Sequence, residues 1–112
     1  MAATPVRYYQ TDRGREPVRA YIDGLRRNDK SAVISFEYLL DLLETEGAPL
    51  GMPQDRIINR RERIWELRFG NHRCAYAMVN GRAVLLHAWR KRSQRLDSRE
   101  EARAIARLRS LR

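Results

Sequence analysis

The second half of the chain gathers side chains that can hold an anion and move a proton: Glu66, Arg68, Arg73, Tyr76, His87, Arg90, Lys91 and Arg92. Breaking a ribose-phosphate link without a metal needs few parts. A base withdraws the 2′-hydroxyl proton, an acid protonates the leaving 5′-oxygen, and cations stabilise the charge on the phosphate. Histidine, tyrosine and lysine can exchange protons, whereas arginine stays protonated and acts as a donor and a charge. No cluster of His and Cys has metal-ligand spacing. Each residue also has a plainer reading. His87 sits in an apolar strand and reads equally as a satisfied buried histidine. Tyr76 reads equally as core with its hydroxyl at the rim, and Glu66 with Arg68 as an i, i+2 surface ion pair. The Arg90-Lys91-Arg92 run reads also as a solvated strand end. Cys74 reads as a small buried residue, Trp89 as packing, and His72 as a turn residue without a catalytic role.

These side chains act together only if strands bring them together, and the patterning predicts such strands. Val6 to Tyr9 reads as a short strand, and Thr11 to Gly14 as a turn. Pro17 suits a first helical position, and Val18, Tyr21, Ile22 and Leu25 follow helical spacing. Gly24 weakens the end of that helix. Asp29 can cap a second helix whose apolar stripe is Val33, Phe36, Leu40 and Leu43, with Ala32 and Leu39 beside it. Glu37, Asp41 and Glu44 form its solvated face, and Gly47 stops it. The two helices make a hairpin.

After a loop from Gly47 to Pro53 the period changes. Arg56 to Asn59, Arg63 to Phe69, His72 to Val79 and Ala83 to Arg90 read as strands, with turns at Gly70-Asn71 and Asn80-Gly81. The last has a continuous apolar centre, which suggests burial on both faces. Ser98 opens a final helix with Glu101 in a capping-box position. Its inner stripe is expected to be Ala102, Ile105, Leu108 and Leu111, and its outer stripe Arg99, Arg103 and Arg107. The order β-α-α-β-β-β-β-α predicts an α+β fold with an antiparallel meander. Alternation puts Glu66 and Arg68 opposite the core-like Trp65, Leu67 and Phe69. It puts Tyr76 with His72, and His87 with Leu85 and Trp89. Arg73 lies near a strand start, where a bulge could re-aim it. Alternation alone leaves the register open, and with it whether Arg68, Tyr76 and His87 share a cleft.

The chain has 112 residues, enough for one domain spanning 1–112 with a modest core. Its net charge of +9 is unevenly placed: residues 29–55 carry −5, 56–73 carry +4 and 90–112 carry +6. Arginine far outnumbers lysine, which favours bidentate phosphate contacts and makes nucleic acid the leading partner class. A high-GC genome that writes arginine freely accounts for that preference as readily, but less well for the clustering. One cysteine fits a reducing cytoplasm. No signal-peptide stretch or transmembrane window is present, so a cytoplasmic protein without a membrane partner is expected.

The ordered motifs resemble a known family. Gly14-Arg15-Glu16-Pro17-Val18-Arg19-Ala20-Tyr21-Ile22 is similar to the start of HigB-like toxins of the phage-derived type, within the RelE/ParE superfamily. So is Leu42-Leu43-Glu44-Thr45-Glu46-Gly47 with Pro53 following. Glu66-Leu67-Arg68 resembles that family's ELR strand, and Arg73-Cys74-Ala75-Tyr76 its R-x-x-Y strand. The run from Leu85 to Arg95 resembles its LLHgFxKKTQK segment, and Glu100-Glu101-Ala102 the opening of its last helix. In this chain Trp89 stands for Phe, Arg92 and Arg95 for Lys, and Leu96-Asp97 for Thr-Pro. A lysine there could carry a proton; Arg92 offers charge alone.

The resemblance implies a RelE-like fold, with an N-terminal strand and a helical hairpin packed on a twisted antiparallel sheet, plus a C-terminal helix. It implies a ribosome-dependent mRNA endonuclease that needs no cofactor and is held inactive by a helix-turn-helix antitoxin of the HigA type. The expected phosphate binders are Arg68 and Arg73, and the expected proton carrier is His87 or Tyr76. Lys91 and Arg92 are expected to touch RNA or the transition state. Arg60, Arg61, Arg63, Arg90, Arg95, Arg99, Arg103 and Arg107 are the candidate RNA contacts, and an acidic antitoxin segment over the basic face would block them. Two other readings stay open: a ParE-like inhibitor of DNA gyrase, and an inactive relative that binds RNA or a partner.

Overall fold

A computed structural model describes residues 4–95 and 97–112; Leu96 of the Leu96-Asp97 departure lies outside them. The elements are β1 (Val6–Tyr8), α1 (Pro17–Asn28), α2 (Lys30–Glu46), β2 (Asp55–Asn59), β3 (Ile64–Phe69), β4 (His72–Val79), β5 (Arg82–Arg90) and α3 (Ser98–Ser110). Pro17 starts α1 with its φ already set. Asp29 caps α2, its Oδ1 accepting from the Ala32 N–H at 3.1 Å. Gly47, at φ 87°, ends α2 in a conformation that side chains resist.

Strands β2 to β5 form the expected antiparallel meander. β1 adds to β5 in parallel, with Val6 opposite Ala83 and Tyr8 opposite Leu85. The sheet is therefore mixed, in the order β1-β5-β4-β3-β2. The cause is the helical hairpin, which carries the chain from β1 to the far edge; four alternating strands then return beside β1 running in its direction.

Both faces of the sheet are covered, as the apolar centre of β5 requires. On one face Leu67, Phe69, Cys74, Tyr76 and Leu85 pack on Val18, Ile22, Val33, Phe36, Leu39 and Leu43 of α1 and α2. On the other, Ile64, Ala75, Ala77, Val84, Leu86 and Trp89 pack on Ala104 and Leu108 of α3. Each fully buried Leu, Ile or Phe contributes ~1.5–3 kcal/mol.

Two expectations about faces are corrected. His87 lies opposite Ala75 and Leu85 opposite Tyr76, so Leu86 is an extra residue in β5. This bulge turns both Leu86 and His87 toward α3 and parts His87 from Leu85. In α3 the buried stripe is Ala104 and Leu108, while Ala102 and Leu111 are exposed. Arg107 follows that inner stripe, one residue before Leu108, and leaves the solvated row assigned to it. The cap of α3 is the Asp97 side chain, one residue before Ser98, and Glu101 accepts instead from Asn59 Nδ2 at 3.0 Å.

Candidate active site

The functional side chains collect on the α3 face. Arg68 lies directly opposite Arg73, and Arg73 opposite Trp89; one row further, Glu66 lies opposite Arg56 and Ala75, and Ala75 opposite His87. Period-two alternation in β3 and β4 sends Glu66, Arg68 and Arg73 to one face without any bulge at Arg73. Beyond Arg90 the chain leaves the sheet and turns into α3. Lys91, Arg92, Gln94, Arg95 and Glu100 thereby form a wall over a floor of Arg56, Glu66, Arg68, Arg73 and Trp89.

The electrostatics of this cleft are unequal. Glu66, 2% exposed, accepts from Arg56 Nε at 2.6 Å and lies 3.9 Å from Arg73 Nε. Arg73 is also tied to the backbone, donating to the carbonyls of Gly70 at 3.1 Å and His72 at 2.8 Å. Burial pushes its pKa down, Glu66 pulls it up, and Arg68 and Arg56 push it down again. It remains a cation, since a guanidinium does not deprotonate in proteins. Arg68 has a weak contact to Met52 Sδ at 3.8 Å and no carboxylate partner among the described residues. Two arginines side by side, one of them unpaired, leave the floor ready for an anion with several acceptor oxygens.

His87 faces the same side but sits behind the cleft. Its ring stacks on Trp89 at 5.4 Å, Nε2 is 2.7 Å from Glu100 Oε1, and Nδ1 is 3.3 Å from Arg107 Nη1. Arg107 can only donate, so Nδ1 accepts and Nε2–H donates to Glu100. Burial lowers the His87 pKa against the pull of Glu100, and Arg107 and Arg103 lower it further. The ring is therefore neutral in the folded protein. An unfolded chain takes up this proton near the ordinary value of about 6.5. The folded form takes it up only at lower pH, so stability is full above that value and lost as pH falls through the window below it. His87→Gln is expected to flatten this decline in thermal midpoint between the histidine and carboxylate ranges. Imidazole NMR shifts of the wild type should show a neutral Nε2–H ring at pH 7 that takes up its proton below the ordinary histidine range; a ring already charged at pH 7 would count against the assignment.

Tyr76 is not in this cleft. It lies fully buried on the opposite face, its hydroxyl donating to Asp55 Oδ2 at 2.5 Å, and burial raises the phenol pKa strongly. In this position it is a buried hydrogen-bond donor to Asp55, across the sheet from the arginines. The remaining candidates scatter. Arg60, Arg61 and Arg63 are exposed at the β2–β3 turn, where Glu62 binds Arg109 and Arg112 at the far end of α3. Arg90 is the exception, since it ends β5 and lines the cleft beside Lys91; its partner across the strand pair, His72, is buried between Tyr21 and Asp29 and lies within β4, not in the turn. Arg99 pairs with Asp97 and Arg103 is exposed. Arg107 turns inward, donating to the Leu86 carbonyl at 2.8 Å. Sequence reasoning passed over Arg56, Gln94 and Glu100 as cleft residues. The pairing of Arg56 with Glu66 was findable once β2 and β3 were taken as neighbours; Gln94 had no signal. No cluster of His, Cys, Asp and Glu among the described residues could hold a metal ion.

The fold and the sequence both have relatives. The YoeB dimer from Staphylococcus aureus superposes with a TM-score of 0.56 at 16% identity, over 75% of this chain and 92% of that one. The YoeB-YefM complex from Staphylococcus aureus gives a TM-score of 0.53 at 15% identity, with the same shares of 75% and 92%. At such identities the likeness is one of fold. No curated protein matches in sequence. The sequence family described as Phage derived protein Gp49-like matches residues 21–109, from α1 through the cleft to α3. The chain therefore belongs to the phage-derived Gp49-like family.

Proposed function

We propose that the protein is the toxin of a toxin–antitoxin pair, a metal-independent endoribonuclease that cuts mRNA on the ribosome. The observation that carries this reading is the floor of the cleft, where Arg68 and Arg73 stand side by side beneath a wall bearing Lys91 and Arg92. Two guanidinium groups can grip a phosphodiester and stabilise the charge that forms during in-line attack. Lys91 supplies a cation that also has a proton to give; Arg92 supplies charge alone. The cleft is small and lined by few groups, so it takes a backbone link and leaves positioning of the transcript to a larger surface. A ribosome requirement fits that geometry.

The partner reading has similar support. YoeB, which shares the fold, occurs in a complex with YefM. An antitoxin of helix-turn-helix type is the partner implied by the HigB-like motifs. Exposed Arg99 and Arg103, beside the cleft on α3, would receive its acidic side chains.

Induction in a host lacking the antitoxin tests the function. Translation arrest with new 5′ ends mapped inside open reading frames is expected. A DNA-damage response with intact transcripts would replace this reading by gyrase inhibition. Normal growth would leave a binding protein without toxicity.

A further inference from the structure

The cleft needs a group that takes the proton from the attacking hydroxyl, and its arginines cannot. We infer that Glu100 is that proton acceptor, and that His87 is a positioning residue that holds its carboxylate; this rests on the nuclease reading above. His87 is 11% exposed, and both its ring nitrogens are engaged, one with Glu100 and one with Arg107. Glu100 is 26% exposed and lines the cleft itself. The histidine thus spends its N–H on one carboxylate oxygen, Oε1, and Oε2 has no side-chain partner among the described residues.

The other carboxylates of the cleft are committed elsewhere. Glu66 is buried against Arg56 and Arg73. Asp97 caps α3 through the Arg99 N–H at 2.8 Å and pairs with the Arg99 guanidinium. The charged groups around Glu100 come from every neighbouring element: His87 and Arg90 from β5; Asp97 from the cap of α3, with Arg99, Arg103 and Arg107 from the helix; Arg56, Glu66, Arg68 and Arg73 from the floor; Lys91, Arg92 and Arg95 from the wall. Cations outnumber acids, so the site tolerates a carboxylate beside a phosphate.

The step balances without an added reactant. Glu100 takes the 2′-hydroxyl proton, the 2′-oxygen bonds to phosphorus, and the bond from phosphorus to the 5′-oxygen breaks. The Lys91 ammonium gives its proton to the leaving oxygen. The products are a 2′,3′-cyclic phosphate and a 5′-hydroxyl, and solvent then returns both side chains to their starting states.

The test is single-turnover cleavage of ribosome-bound transcript by the full chain across pH. Glu100→Gln is close in shape and its amide oxygen still accepts from His87, so the fold should hold, as a thermal melt will show. Its rate is expected to fall about 10²–10⁴-fold with transcript binding unchanged. The acid limb of the wild-type pH profile should vanish from the residual activity. His87→Ala should cost about 10–100-fold through misplacement, His87→Gln should restore most of that loss by donating again, and both should keep the acid limb. A Glu100→Gln rate within about threefold of wild type overturns the assignment. So does a His87→Gln enzyme as slow as Glu100→Gln and lacking the acid limb. A wild-type protein inert on ribosome-bound RNA would overturn the nuclease reading together with this one, whereas the variant results strike the Glu100 assignment alone.

Discussion

Arg68→Ala is expected to lower RNA cleavage about 10²–10³-fold while leaving thermal stability unchanged or slightly raised. The separation follows from what the side chain touches. Among the described residues its guanidinium makes one weak contact, to Met52 Sδ at 3.8 Å, and it faces Arg73 across the β3–β4 pair. Like charges directly opposite in a sheet are destabilising, and the Arg68 charge lowers the pKa of Arg73. Removing Arg68 therefore breaks no structural bond and relieves a repulsion. Such a like-charge pair at a cleft fits side chains whose role is to bind an anion. Arg73→Ala should cost similar activity but also ~1–3 kcal/mol of stability. It strips Glu66 of one cation and leaves the Gly70 and His72 carbonyls without their donor. Arg68→Lys should recover part of the rate, because an ammonium returns the charge without the planar fork. Cleavage rates paired with denaturant melts decide it: Arg68→Ala at full rate would remove the phosphate seat from the cleft floor.

The register that brings these arginines together was more legible than alternation alone allows. Two-residue turns fix pairing, and here Gly70-Asn71 sets Phe69 opposite His72 while Asn80-Gly81 sets Val79 opposite Arg82. Counting inward from those turns puts Arg68 on Arg73. Counting fails at Leu86. A bulge within an apolar run carries no glycine or proline to announce it, and both faces of β5 are buried, so either orientation satisfies hydrophobicity. The position of His87 was therefore decided by packing against α3. The same holds for Arg107. Its spacing from Arg99 and Arg103 read as a solvated row, but a helix with Ala104 and Leu108 inward also turns residue 107 toward the sheet, where the Leu86 carbonyl accepts from it. The parallel seat of β1 lies beyond local pattern altogether, since three residues carry no signal of strand direction. The positions of α1 and α2, by contrast, followed from caps and periodicity, because Pro17, Asp29 and Gly47 act within one turn of themselves.

Asp55→Ala is expected to be among the most destabilising single changes, since it leaves three donors without an acceptor at ~1–3 kcal/mol each. Asp55 is 1% exposed. Its Oδ1 accepts from the Gly51 N–H at 2.7 Å, and its Oδ2 from the Leu50 N–H at 3.0 Å and the Tyr76 hydroxyl at 2.5 Å. One carboxylate thus ties the loop after α2 to β2 and to the middle of β4. Alanine would leave two backbone donors and a phenol without acceptors in a dry interior. Tyr76→Phe removes a single donor and should cost ~1–3 kcal/mol, while the Trp65 ring that stacks on Tyr76 at 6.0 Å keeps its partner. The double variant should lose less than the two single losses added, because each single change orphans a group that the other removes. Denaturant melts of the three variants measure that coupling. Cleavage by Tyr76→Phe then separates structure from chemistry. Its rate should stay within about twofold of wild type, since the phenol lies across the sheet from the arginines and a general acid or base is worth at least ~10²-fold. Full stability with lost cleavage would instead return Tyr76 to the reaction, and would require the sheet to open before RNA is cut.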